Sequence, residues 1–162
     1  MADLRAALDG PAIDAGPRLA HVLAAVAFVP ADRSALESAV RLARERHAKL
    51  TLLHVLPGPW RHGVEGGVPR PIAARIHGAR RRMALDRLMA MHPREPGANW
   101  LVAEGEPGAE IVRTATRHHV DLIVLGGHRS PGGGARGDSV TAAYVIDRAP
   151  CRVHVVRGAY ET

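Results

Sequence analysis

Residues 120–138 read Val120-Asp-Leu-Ile-Val-Leu-Gly-Gly-His-Arg-Ser-Pro-Gly-Gly-Gly-Ala-Arg-Gly-Asp138, an apolar run that breaks into a glycine-rich basic loop. A continuous apolar run of this length is the pattern of a parallel strand buried on both faces. A loop at the carboxyl end of such a strand, leading into a helix, is where open α/β sheets hold phosphates and nucleotides. The loop is therefore the candidate ligand site.

Upstream, Gly105-Glu-Pro-Gly leads into a short helix with Pro107 near its first turn and Ile111, Val112 and Ala115 on its core side. Before it, Asn99-Trp-Leu-Val-Ala-Glu104 has strand character, and Ile72, Ile76, Ala79 and Met83, continuing to Leu88, mark a long helix that stops before Pro93. Leu50-Thr-Leu-Leu-His-Val-Leu56 is a strand, preceded by a helix with Leu36, Val40 and Ala43 at helical spacing and Asp32 or Ser34 as cap. The apolar run 21–29, closed by Pro30, is the first strand. Downstream of the loop, 139–148 is helical and Arg152-Val-His-Val-Val-Arg157 is the last strand. Strands alternating with helices predict a single doubly wound α/β domain, a five-stranded parallel sheet with helices on both faces. Residues 1–19 read as an added N-terminal arm, 20–158 as the domain and 159–162 as a C-terminal tail.

The composition agrees with this plan. At 162 residues and 46% hydrophobic, with one Phe, two Tyr and two Trp, the core must be built from Ala, Val, Leu and Ile. No apolar run approaches the ~20 residues of a membrane span, and Met1-Ala-Asp-Leu-Arg-Ala-Ala-Leu lacks the order of a signal peptide, so the expected location is the cytoplasm. A single cysteine, Cys151, excludes an internal disulfide framework and has no Cys-x-x-Cys partner. The formal charge of +6 comes almost wholly from arginine, since Lys49 is the only lysine. A basic chain makes a polyanion a conceivable partner, yet the charges are interleaved with acids. The one dense cluster, Arg80-Arg81-Arg82 with Arg75 and Arg87, has no aromatic platform beside it, which argues for a solvated helix over a nucleic-acid surface.

Several stretches together resemble the universal stress protein family: Val22-Leu-Ala-Ala-Val, Ser34-Ala-Leu-Glu-Ser-Ala-Val-Arg-Leu-Ala-Arg, Leu50-Thr-Leu-Leu-His-Val, Gly105-Glu-Pro, Val120-Asp-Leu-Ile-Val-Leu-Gly and Ala149-Pro-Cys-Arg-Val-His-Val-Val. The resemblance spans residues 20–157 and implies the Rossmann-like strand order 3-2-1-4-5. It also implies a homodimer paired through the last strand, Val153, His154, Val155 and Val156. Nucleotide-binding members carry Gly-x2-Gly-x9-Gly-[Ser/Thr] after the fourth strand. In the ungapped register this chain has Gly126, then Arg129 for the second glycine, Ser139 for the third and Val140 for the hydroxyl residue. Those members also place an acid at the end of the first strand, where this chain has Ala27. A methyl group accepts no hydrogen bond, and a ligand group left unpaired costs about 1–3 kcal/mol, one or two decades of affinity.

The candidate pocket is thus Ala27, Gly126, Gly127, Arg129, Gly132, Gly133, Ser139 and Val140. The expected protein is a dimeric stress-response or signalling module that requires no cofactor and does not bind ATP in the familiar way. The alternative is an ATP- or AMP-binding member whose Gly126, Gly127 and 132–134 glycines hold phosphates. No catalytic residue is assigned: no Gly-x4-Gly-Lys-[Ser/Thr] loop occurs, Ser130 and Ser139 lack a Gly-x-Ser-x-Gly elbow, and Asp121 and Asp138 read as a strand-start residue and a helix cap. No metal site is assigned either, since His118-His119 suits a helix end.

Overall fold

Among the described residues nine elements alternate: β1 (His21–Ala25), α1 (Asp32–Arg46), β2 (Lys49–Leu56), α2 (Arg70–Met91), β3 (Asn99–Glu104), α3 (Pro107–Arg117), β4 (Leu122–Gly127), α4 (Val140–Arg148) and β5 (Arg152–Arg157). This computed structural model describes residues 18–58, 70–91, 97–127 and 140–157. The strands form one parallel sheet in the order β3-β2-β1-β4-β5. The order reverses between β1 and β4, which opens a crevice at their carboxyl ends.

Alternation along the central strands divides the core in two. Val22, Ala24, Leu52 and Val124 point to one face, where Leu36 and Val40 of α1 and Ala84 and Leu88 of α2 cover them. Leu23, Leu53 and Ile123 point to the other, against Ile111 and Ala115 of α3 and Ala142 and Val145 of α4. Aliphatic side chains suffice because a helix layered on a sheet presents a stripe rather than a broad surface. Leu19, which the sequence reading assigned to the arm, is only 5% exposed and belongs to the first of these clusters.

Polar contacts fix the amino ends of the strands. Asp121, just before β4, accepts hydrogen bonds from the backbone amides of Ala20 and His21, both at 2.9 Å. His21 is buried as a neutral ring. Its Nδ1 donates to the His118 carbonyl at 3.1 Å, and its Nε2 pairs with the Thr51 hydroxyl at 2.8 Å. A carbonyl only accepts, so the proton sits on Nδ1 and Nε2 receives the hydroxyl hydrogen.

Burial holds His21, His54 and His154 below the ordinary value of 6.5, in each case as the largest cause. In the window between 6.5 and those lowered values the unfolded chain binds protons that the folded chain does not. Stability is therefore fully present above that window and is lost as the pH falls through it. The urea midpoint is expected to fall steadily from neutral pH towards the acid side, with a shallower slope in His21→Asn. A midpoint independent of pH over this range would show that the three rings titrate alike folded and unfolded.

Two expectations about α1 and β1 need correction. The apolar run 21–29 is not all strand: β1 stops at Ala25, and the chain then turns with Phe28 at φ 63°. Nor does Asp32 or Ser34 cap α1. The N-cap is Ala31, which makes no side-chain capping bond, and Asp32 is the first helical residue. Its carboxylate reaches back to accept from the amides of Ala27 at 3.0 Å and Val29 at 2.8 Å. One acid thus closes the turn that ends the strand, which apolar content alone would have continued.

Candidate functional site

The carboxyl ends of β1, β2 and β4 and the first turns of α3 and α4 surround a cavity of about 320 Å³. That volume is near the lower bound for small-molecule pockets. Its wall is largely apolar, with Val26, Leu53, Val55, Ile111, Leu125 and Ala142 among the lining residues, and Pro57 and Pro107 also contribute. Among the described residues three polar ones line it: Asp32, His54 and Thr141.

Each of the three is positioned by the fold. Asp32 is 3% exposed, and the Ala27 and Val29 amides hold its Oδ2. A carboxylate taking two backbone donors satisfies the turn that forms the cavity's rim. His54, on β2, donates from Nδ1 to the Val26 carbonyl at 2.7 Å, which leaves Nε2 as an acceptor. Burial lowers its pKa, against opposing effects from the Val26 bond and from Asp32, so the ring is neutral near pH 7. Among the described residues the only fully buried side-chain polar atom without a partner is Trp100 Nε1, so His54 Nε2 keeps access to solvent. Thr141 comes from the first turn of α4.

An aromatic contact lies beside the turn that follows β1. The Phe28 ring lies 4.2 Å from the His54 ring, centroid to centroid, and the Arg87 guanidinium sits 4.3 Å from the Phe28 centroid. Positive φ in a bulky residue is costly, and here the bonds to the two flanking amides and the ring contacts with His54 and Arg87 hold it.

The candidate pocket residues are distributed unevenly. Ala27 and Gly126 line the cavity. A Cβ on Gly126 would lie 2.9 Å from the Ala31 carbonyl oxygen, so the glycine admits the start of α1 close to β4. Gly127 faces Val155 of β5 instead, at 2.8 Å from its Cγ1 for an added Cβ. Val140 is 86% exposed, and its neighbour Thr141 is the residue that lines the cavity. Arg129, Gly132, Gly133 and Ser139 lie outside the described residues, as do His128, Asp138, residues 1–17 and the tail 159–162.

Sequence reasoning noted Asp32 only as a cap and His54 only as part of a strand. The available signal was an acid five residues beyond Ala27, across a turn containing Pro30. Among the described residues, no three of His, Cys, Asp or Glu are grouped to hold a metal, and no helix is long and apolar enough to cross a membrane.

A sequence model described as the universal stress protein family matches residues 19–157. The chain is 27% identical over 109 residues to universal stress protein C of Salmonella typhi, across 67% of this chain and 82% of that protein. Its fold is similar to that of the universal stress protein UspA from Lactobacillus plantarum, with a TM-score of 0.72, 27% identity, and coverage of 86% of this chain and 99% of that one. A universal stress protein from Archaeoglobus fulgidus, solved in complex with dAMP, shares the fold at a TM-score of 0.54 and 23% identity, over 85% of this chain and 97% of that one.

Proposed function

The chain belongs to the universal stress protein family, and from that premise we propose that it is a stress-response signalling module that works by binding rather than catalysis. Its cavity, on this reading, does not take ATP in the manner of nucleotide-binding relatives. The observation that carries this is the rim of β1. Ala27 presents a methyl group where those relatives present an acid, and the nearby carboxylate of Asp32 is engaged with the Ala27 and Val29 amides. A nucleoside entering this cavity would meet an apolar wall and would compete with the backbone for its carboxylate acceptor.

A second reading, an ATP- or AMP-binding member, is favoured by the cavity's place at the β1/β4 reversal and by Thr141 in the first turn of α4. The dAMP complex of the Archaeoglobus fulgidus protein is a complex of that protein and supports only the capacity of the fold. Calorimetric titration of ATP and AMP, each with magnesium, into protein checked for carried nucleotide separates the two readings. No heat up to millimolar ligand is the expected result. Micromolar binding, or nucleotide retained through purification, would overturn it in favour of the second reading.

The proposal includes a homodimer through β5. This strand is the edge of the sheet beyond β4, and Val153, His154, Val155 and Val156 are only half buried in the single chain. An unpaired edge carrying three valines is an aggregation liability unless a twofold mate covers it. Sedimentation equilibrium at micromolar concentration is expected to give twice the chain mass; a monomer there would sink this part of the proposal.

A further inference from the structure

The long helix α2 has two apolar stripes, and the sheet uses only one. Its carboxyl half packs through Ala84 and Leu88, whereas no residue described from Pro71 to Met83 is buried. Ile72, Ile76 and Met83 are 49%, 48% and 71% exposed. With Ala79 they recur at i, i+4, i+7 and i+11. At 3.6 residues per turn this places them within about 60° of arc and along about 16 Å of helix. Centre to centre, the stripe lies roughly 130° around the helix from the buried pair.

Arginines border it on both sides. Arg75 and Arg82 lie along one edge, Arg80 and Arg87 along the other, with Arg81 farther round. Arg87 is held over Phe28, and Asp86 is the only acid on the helix. No carboxylate forms an ion pair with Arg75, Arg80, Arg81 or Arg82 among the described residues. Exposed apolar side chains between unpaired cations make a surface whose complement is both apolar and anionic.

We infer that this outer face of α2 docks an acidic amphipathic helix of a protein partner. The width of the stripe selects among anionic partners. A seam of this width suits a second helix, while a helix lying in a membrane surface needs a broader apolar face. Nucleic acid would satisfy the arginines and leave Ile72, Ile76 and Met83 in water. Carboxylates flanking a leucine seam satisfy both features, and such pairs at the edge of a contact guide register and partner choice.

The test uses a synthetic helical peptide of about 18 residues with leucines at heptad a and d positions and glutamates on the flanks. Three comparison ligands accompany it: the same peptide with lysine for glutamate, the same with serine for leucine, and, as other anions, phosphatidylglycerol vesicles and duplex DNA. Binding to the intact protein is followed by calorimetry. The leucine–glutamate peptide is expected to bind in the micromolar range, and Met83→Glu and the Arg75→Glu/Arg82→Glu pair each to weaken it at least tenfold. Circular dichroism checks that these surface variants remain folded. The lysine and serine peptides are expected not to bind. The inference is overturned if the leucine–glutamate peptide fails to bind, if the serine peptide binds equally, if Met83→Glu leaves affinity unchanged, or if vesicles or DNA bind more tightly than the peptide.

Discussion

Asp32→Ala is expected to destabilise the protein by about 3 kcal/mol, because it removes one charged acceptor from two backbone donors at once. The Ala27 and Val29 amides both bond to Oδ2, in a turn where neither has a strand partner to replace it. For a chain of this length the thermal midpoint should drop by about 10 °C. Asp32→Asn separates geometry from charge. The amide oxygen can occupy the Oδ2 position and keep both bonds, so the expected cost is about 1 kcal/mol. Equal midpoints for the alanine variant and the parent protein would mean that the turn is held by the contacts of Phe28 with His54 and Arg87 instead.

This turn marks the boundary of what the sequence makes legible. The alternation of strands and helices can be read because each element carries its own period, and buried parallel strands such as Leu122–Gly127 are nearly unbroken apolar runs. The strand order follows from the family resemblance and is the one observed. Residues 26–29 could not be read in this way, because Val26, Phe28 and Val29 are good strand formers and the force that turns them lies at Asp32, beyond a proline. Propensity is local, whereas the bond that overrides it is set by a carboxylate in another element. Helix α2 shows a second limit. The period of Ile72, Ile76 and Met83 identifies a helix, yet it does not say whether that stripe or the one through Ala84 and Leu88 meets the sheet. His21 shows a third: its burial depends on Thr51 and the His118 carbonyl, which become neighbours only when the sheet assembles.

Gly126→Ala should cost about 2–3 kcal/mol, and Gly126→Val more, because the obstruction is backbone. A Cβ there would sit 2.9 Å from the Ala31 carbonyl oxygen, 3.1 Å from its carbon and 3.2 Å from Asp32 Oδ1. Relief requires the start of α1 to move away from β4, and the Asp32 carboxylate moves with it, so the substitution also loosens the turn at Ala27 and Val29. Gly127→Ala is the internal comparison. Its Cβ meets Val155 Cγ1 at 2.8 Å, but the next atoms lie at 3.7 Å, and a valine methyl at the sheet edge can move aside. The expected cost is below about 1 kcal/mol. The two glycines are adjacent in one strand, so urea midpoints that differ as described would locate the tight contact at the β4–α1 junction. Indistinguishable midpoints would show that this junction yields easily and that Gly126 is not required for close approach. Combining Gly126→Ala with Asp32→Ala sharpens the result. Removing the carboxylate clears one of the three clashing atoms and leaves no amide clamp to distort, so the double variant should lose clearly less than the sum of the two single costs.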